Sequence, residues 1–517
     1  MTHAPSAPWR TLGFAAAIAC AILAAGRPAP SAASVQRTVV VVKDDATTHR
    51  PERAVRRLGG RVERPLPVIH GFVARLPAAG AQRLAHAPGV ASVTPDREME
   101  PREDAAAASA AAAPADAPAS LASARAAMDA APLTAAGVTG RGVDVALLDT
   151  GVAPVPGLDQ PGKVVNAPDF SEQGDQANLR SLDAFGHGTH LAGIIAGEDA
   201  ATGFSGIAPG AQLVNVKVGA ADGSTSLARM LTAIDWVIRN RHTGGLDIRV
   251  LNLAFGAPTA GSYRTDPLAF AVEQAWKHGI VVVAAAGNGG SETGSLDSPA
   301  YDPYVLAVGA DDVAGTPEIG DDLVPAWSSR GDGVRNPDVV APGVAITSFR
   351  VPGSYLDEQF PQGRVGERWF RGSGTSQATA VTAGAVALLL QQRPELTPDQ
   401  VKAMLRANAT PVQGADAAAQ GAGLFDLGRA AAAAAPRTAQ KFANASAGGG
   451  WRGARALGVQ LTADPSMSRW TMSRWTMSRW TMSRWTMSRW TMSRWTGTGW
   501  SSADPALPRN PEPTAAG

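Results

Sequence analysis

Cysteine is nearly absent from this chain: among 517 residues there is one, Cys20. Beyond that position no disulfide framework and no thiolate metal site can form. An excess of one charge sign is lacking too. The net charge is +1 and charged residues make up 18%, so no broad field points to nucleic acid or another polyelectrolyte as partner. Lysine occurs only at Lys43, Lys163, Lys217, Lys277, Lys402 and Lys441; with the abundant alanine this reflects coding-sequence bias and carries no functional weight. Long apolar runs are missing as well. The stretch Leu12 to Ala25 is short for a bilayer span. It follows Arg10 and leads into Pro30-Ser31-Ala32-Ala33-Ser34, the order of a secretory signal at residues 1–33, with a cut expected after Ala33. The alternative, an N-terminal anchor, would have to carry its helix through Pro28 and Pro30. Ala17-Ile18-Ala19-Cys20 is a poor match to a lipoprotein cleavage site.

What is present divides into units. Residues 36–100 hold a buried-strand run Thr38 to Val42, a helix Pro51 to Leu58, an alternating strand His70 to Leu76, a helix Ala79 to Ala87 and a short strand Val90 to Val93. That order predicts a small α+β module. Residues 101–120 contain Ala/Pro low complexity, too poor in large apolar groups to pack, and are expected to be a linker. From 121 to 436, near-continuous apolar strands at Val143 to Leu148, Gln212 to Val218, Ile248 to Leu253, Ile280 to Ala285 and Val305 to Val308 alternate with helices at Ser226 to Asn240 and Leu268 to His278. This pattern predicts an α/β unit with a mainly parallel sheet covered on both faces, and a site at the carboxyl ends of its strands. Residues 437–517 form a low-complexity tail in which Met467 to Thr496 is six tandem copies of Met-Ser-Arg-Trp-Thr. Such uniformity argues against a folded core.

Four residues carry candidate chemistry for acyl transfer, which needs a nucleophile, a base, a group that orients the base, and oxyanion donors. Asp149 ends an apolar strand in Leu147-Leu148-Asp149-Thr150-Gly151; alone it reads equally as a helix cap or turn former. His187 lies in Asp183-Ala184-Phe185-Gly186-His187-Gly188-Thr189-His190 at the start of a helical stretch. Its i, i+3 spacing to His190 also suits zinc, but the acidic residue of the zincin motif is missing. Ser376, in Gly372-Ser373-Gly374-Thr375-Ser376-Gln377-Ala378, precedes the apolar run Val381 to Leu390, where helix-terminal N–H groups suit an oxyanion and where a serine also serves as a plain cap. Asn288, between Gly287 and Gly289 after a strand, offers a side-chain donor or an ordinary turn.

Together, in this order and context, the blocks around Asp149, His187, Asn288 and Ser376 resemble the subtilisin-like serine protease family, over residues from about Leu121 to Ala435. The resemblance implies that Asp149 orients His187, that His187 is general base and then general acid, that Ser376 attacks the peptide carbonyl, and that Asn288 joins the Ser376 N–H in the oxyanion hole. It implies that Thr38 to Asp96 is an inhibitory propeptide of ferredoxin-like fold, the chain's own partner until it is removed. It also implies that Leu253, Ala254, Phe255 and Gly256 bind extended substrate. Departures are Gln377, Ala380 and Val381, where the family usually has Met, Pro and His, and Ala254-Phe255-Gly256-Ala257 in place of Ser-Leu-Gly-Gly. Gly289 stands where some members place an acid near the pocket floor, which leads to an expected neutral residue before the cut.

The reading is thus a secreted serine endopeptidase made as a self-processing precursor, a monomer acting on proteins or peptides, with no cofactor for catalysis. Structural calcium, common in the family, has no acidic cluster here to name as its ligands. Rival readings are a processing enzyme with few targets and an inactive, surface-bound protease-like binding protein. The Trp/Arg repeats leave open a cell-wall contact beside the plainer reading of a disordered repeat.

Overall fold

The computed structural model describes residues 35–42, 50–96, 98–101, 117–257, 261–291 and 296–446. The expected signal peptide, most of the expected linker and the repeat tail lie outside the described residues.

The first module is a four-stranded antiparallel sheet of Val35–Val42, Arg61–Leu66, Gly71–Pro77 and Val90–Pro95, with helices Arg50–Arg57 and Ala78–Leu84. The spatial order is second, third, first, fourth, with Val40 opposite Phe72 on one side and Val93 on the other. This is the ferredoxin-like arrangement. The strand Arg61–Leu66 was not foreseen, because its polar, partly exposed residues lack the apolar pattern of its neighbours.

The main unit is built on a nine-stranded sheet in the order Ala409–Thr410, Leu424–Phe425, Val339–Pro342, Leu306–Asp311, Val281–Ala285, Ile248–Leu253, Asp144–Asp149, Gln212–Lys217 and Val164–Asn166. The pairings are parallel except for the edge strand Ala409–Thr410. Asp144–Asp149 and Val281–Ala285 are buried along their whole length, as expected for strands covered on both faces. Helices His187–Ala196 and Thr375–Gln392 pack together over one face, and Leu227–Asn240 and Pro267–Lys277 over the other. Thr375–Gln392 runs through the core, and its small residues let neighbours approach: a Cβ on Gly384 would lie 2.6 Å from Ile207 Cβ.

Two boundaries need correction. Residues 117–120 of the expected linker begin the helix Ala117–Ala127, and Pro101 belongs to a strand, Glu98–Pro101. Residues 437–446, assigned to the tail, pack on the main unit: Ala445 is buried and its N–H donates to Glu273 Oε1 at 2.5 Å, and Tyr304 Oη donates to Phe442 O at 2.8 Å. Both corrections have one cause. These segments are apolar or polar only in relation to surfaces elsewhere in the fold, which local composition does not display.

Candidate active site

Asp149 is the last residue of its strand and fully buried, and its Oδ1 lies 2.7 Å from His187 Nδ1. The same oxygen accepts Thr150 N at 2.8 Å, and Thr150 Oγ1 stands 3.2 Å from it. An ionised carboxylate only accepts, so the contact places the imidazole proton on Nδ1 and leaves Nε2 as the basic nitrogen. His187 opens the helix His187–Ala196. Its flanking glycines are required by space: Gly186 has φ +105°, and a Cβ on Gly188 would sit 2.2 Å from Gly151 O and 3.0 Å from Asp149 Oδ1.

Asp183 holds this turn together and was not singled out from the sequence. Its Oδ1 accepts Thr150 Oγ1 at 2.8 Å and Gly186 N at 2.7 Å, and its Oδ2 accepts Thr189 N at 2.8 Å and Thr189 Oγ1 at 2.7 Å. Burial pushes its carboxyl up while these donors pull it down. The available signal was an Asp just ahead of a helix start, bonding the first-turn N–H groups from outside the cap position.

Ser376 lies in the first turn of Thr375–Gln392, and its hydroxyl donates to Ala254 O at 3.4 Å. Asn288 follows Val281–Ala285, and its Oδ1 accepts Thr375 N and Thr375 Oγ1, each at 2.9 Å. With the carbonyl end held by Thr375, Nδ2 is the end turned toward Gly374 and the helix start. The two helix starts meet at Gly372, where a Cβ would lie 3.4 Å from His190 Nε2 and 2.9 Å from Gln377 Nε2. His190, the other half of the zinc alternative, is buried, and burial together with His187 lowers its pKa to about 3, so it is a neutral wall residue at working pH. Among the described residues no group of three or more His, Cys, Asp or Glu is placed to hold a metal ion.

The strand Glu98–Pro101, which follows the first module, lies between Thr225–Ser226 and Phe255–Gly256 and is antiparallel to both. Met99 is opposite Thr225, Glu98 opposite Ser226, Glu100 opposite Gly256 and Pro101 opposite Phe255. Of the four residues expected to line the substrate, Phe255 and Gly256 pair with this strand, and Ala254 offers its carbonyl to Ser376. Leu253 has no pairing with this strand. It is fully buried in the sheet, paired with Leu148 and Ala284, because the main sheet ends at that residue. The module is anchored next door, where Asp96 Oδ1 accepts Ala228 N at 2.8 Å and so caps the helix Leu227–Asn240, whose own Ser226 makes no side-chain cap.

An acid–histidine pair, a serine at a helix N-terminus, an amide side chain and an extended chain paired with Phe255–Gly256 are the kinds of group that acyl transfer of the serine-hydrolase type requires. The chain belongs to the subtilase family: the family model described as "Subtilase family" matches residues 140–423, and one described as "Putative peptidase inhibitor domain" matches residues 21–96. It is similar to serine protease AprX of Bacillus subtilis (strain 168), 41% identical over 275 residues that cover 52% of this chain and 61% of that protein's length. Subtilisin DY of Bacillus licheniformis is 34% identical over 298 residues, covering 56% of this chain and 92% of the relative. Fervidolysin from Fervidobacterium pennivorans, a keratinolytic enzyme related to subtilisin, shares the fold with a TM-score of 0.60 at 24% identity, over 78% of this chain and 62% of that one.

Proposed function

We propose that this chain is a serine endopeptidase, made as a precursor whose first module blocks the cleft until it is cut away. The observation that carries this is the strand Glu98–Pro101, paired as an extended peptide with Phe255–Gly256, next to the Ala254 whose carbonyl accepts from Ser376, while Asp149 holds His187 at 2.7 Å. In this reading His187 Nε2 takes the Ser376 hydroxyl proton as Oγ attacks the peptide carbonyl carbon. The oxyanion accepts from Asn288 Nδ2 and the Ser376 N–H, and the first-turn dipole favours the charge. His187 then protonates the leaving amine, and water, deprotonated by the same nitrogen, releases the acyl group. Asp149 stays ionised throughout and stabilises the imidazolium. The chain's residues supply every proton transfer, so the chemistry calls for no cofactor.

Export is part of this proposal and rests on the order of residues 1–33; among the described residues no helix is long and apolar enough to cross a membrane. The test is to express wild-type and Ser376→Ala precursors and to follow their mass, casein hydrolysis and labelling by a serine-directed fluorophosphonate. Self-shortening, labelling and hydrolysis in wild type alone are expected. An intact, unlabelled wild type would point instead to the inactive binding protein or to a zymogen that another protease must cut.

A further inference from the structure

Residues 167–186 run from the strand Val164–Asn166 to His187 without a helix or strand of their own, and they deliver Asp183 to the turn that carries the base. An irregular segment of that length needs to be held. Much of the hold is one buried side chain, Lys217, the last residue of Gln212–Lys217. An ammonium has three N–H donors and no acceptor. The loop takes all three: Nζ donates to Gln173 Oε1 at 2.9 Å, to Leu179 O at 3.1 Å and to Leu182 O at 2.7 Å. Asp169, whose side chain is also buried, brings its Oδ2 to 3.9 Å and supplies the counter-charge. That oxygen accepts Ser181 N at 2.9 Å as well, so the counter-charge closes the loop on itself. Burial pulls the lysine below its ordinary pKa while Asp169 and Asp183 push it up. Only the charged form satisfies the three acceptors, because a neutral amine has one donor fewer.

The contact nearest the chemistry is Leu182. Its carbonyl lies between the ammonium and Gly151, where a Cβ would stand 2.8 Å from that oxygen. The next residue is Asp183, whose carboxylate accepts from Thr150 Oγ1, Gly186 N, Thr189 N and Thr189 Oγ1. On the other side, Lys217 stands opposite Asp149 in the parallel strand pair, and the N–H groups of Val218 and Gly219 donate to Asp149 O at 2.8 and 3.2 Å. Lys217 O accepts Phe170 N at 2.8 Å, which ties the start of the loop to the same residue. One residue therefore touches both supports of the Asp149–His187 pair: the strand pair in which the acid ends and the loop that leads to the base.

We infer that Lys217 is a positioning residue for the reaction, a cation built into the chain that gathers residues 169–183 and holds the turn from Asp183 to His187 against Asp149. This rests on the protease reading above and adds a residue to its machinery. The oxygens that Lys217 meets, two carbonyls, an amide and a carboxylate, are the kinds that hard cations take, and here covalent attachment fixes the charge among them. Removing it leaves the Leu179 and Leu182 carbonyls and the Asp169 carboxylate buried without that donor, which favours relaxation of the loop. Asp183 moves with Leu182, and His187 with Asp183. A displacement of about 1 Å at a reacting group costs about 100-fold in rate.

The precursor's own cut is intramolecular, so its rate reads the assembly of the reacting groups with no substrate-binding step. The experiment follows that cut by mass in the full chain, for wild type and Lys217→Ala, in ammonium chloride and in tetramethylammonium chloride at equal ionic strength. Fluorophosphonate labelling rates and melting curves accompany each sample. Lys217→Ala is expected to cut about 100-fold more slowly than wild type, and ammonium to restore most of the loss in a saturable way. Tetramethylammonium, which has no N–H donor, should restore none, and wild type should respond to neither salt. A Lys217→Ala chain that cuts at the wild-type rate overturns the inference, and so does a slow one that melts like wild type and ignores ammonium. Where Lys217→Ala does not melt cooperatively, Gln173→Ala decides, since it removes one acceptor and keeps the lysine: about tenfold slowing is expected, and an unchanged rate overturns the inference. Where wild type is labelled but not shortened, the labelling rates carry the same comparison. A wild type neither shortened nor labelled overturns the protease reading as well.

Discussion

The first module and the main unit solve burial differently, and the same strands show it. In Val35–Val42, Val40 packs in the module's own small core with Phe72, Leu76 and Leu84, while its neighbours Val39 and Val41 join the core of the main unit. Gly71–Pro77 repeats the split, with Phe72 and Ala74 inward and Val73 on the main-unit side. The two-residue period of a strand thus gives the module one face for its own helices and one for another surface. The main unit has no such division. Its sheet is covered on both faces by its own helices, so it is complete where the module is completed only by docking. A module of this size has little core to spare. The asymmetry suits the proposed role of a removable inhibitor: a module cut from the main unit would keep an apolar face that favours neither its own stability nor its persistence.

The sharpest way to break the comparison is to stop the cut without touching the interface. His187→Ala should lower kcat by about a million-fold while the module stays joined and docked, as read by peptide hydrolysis and by the mass of the purified protein. Release of the module from that variant would mean the cut is made by another enzyme. Asn288→Ala should cost about 100- to 1000-fold in kcat with little change in KM, the range measured for one such donor in a subtilisin. An unaltered kcat would remove Asn288 from the oxyanion site.

Smaller effects separate the two faces and the two units. Val39→Asp places a charge in the docked interface and should weaken inhibition by the module about 100-fold, or about 3 kcal/mol, whereas Val40→Asp should unfold the module itself, as seen by circular dichroism. Equal effects from both would deny that the strand divides its faces in this way. Acidity should act on one acid of each unit in opposite senses. Burial, with Asp322 beside it, raises Asp311 of the main unit to about 8. Its contribution is therefore fully present below the ordinary carboxyl value and lost as pH rises through about 8. Asp311→Asn should remove that alkaline loss, so the melting temperatures of the two forms should diverge between pH 5 and 9. Burial raises Glu63 of the module, but Arg37 and Arg75 outweigh it and hold the group below its ordinary value. That contribution is lost as pH falls through the lowered value, and because the cluster is half open to water it is small. The smallest effect expected is that of Asp96→Ala, which removes the cap on Leu227–Asn240 and should weaken docking by about 1 kcal/mol, measurable as a several-fold rise in the inhibition constant.

Much of this was legible in the chain. Asp149, His187, Asn288 and Ser376 each stand at the end of an apolar strand or the start of a helical run, and the structure puts the first two in contact and the last two around Thr375. The strands Ile248–Leu253 and Val281–Ala285 fall within a residue of the runs that announced them, because a strand buried on both faces is apolar along most of its length. Glu98–Pro101 gave no such notice: its place between Thr225–Ser226 and Phe255–Gly256 depends on backbone pairing that no local pattern records. Asp183 and Thr375 escaped because their meaning lies in partners brought to them by the fold. By itself, the sequence determined the periodicities, the glycines and the residue types of the reacting groups, all of which act over a few residues. Only the tertiary structure decided which face of the module is shared and where the extended strand lies, because each depends on surfaces that exist only once distant segments have packed.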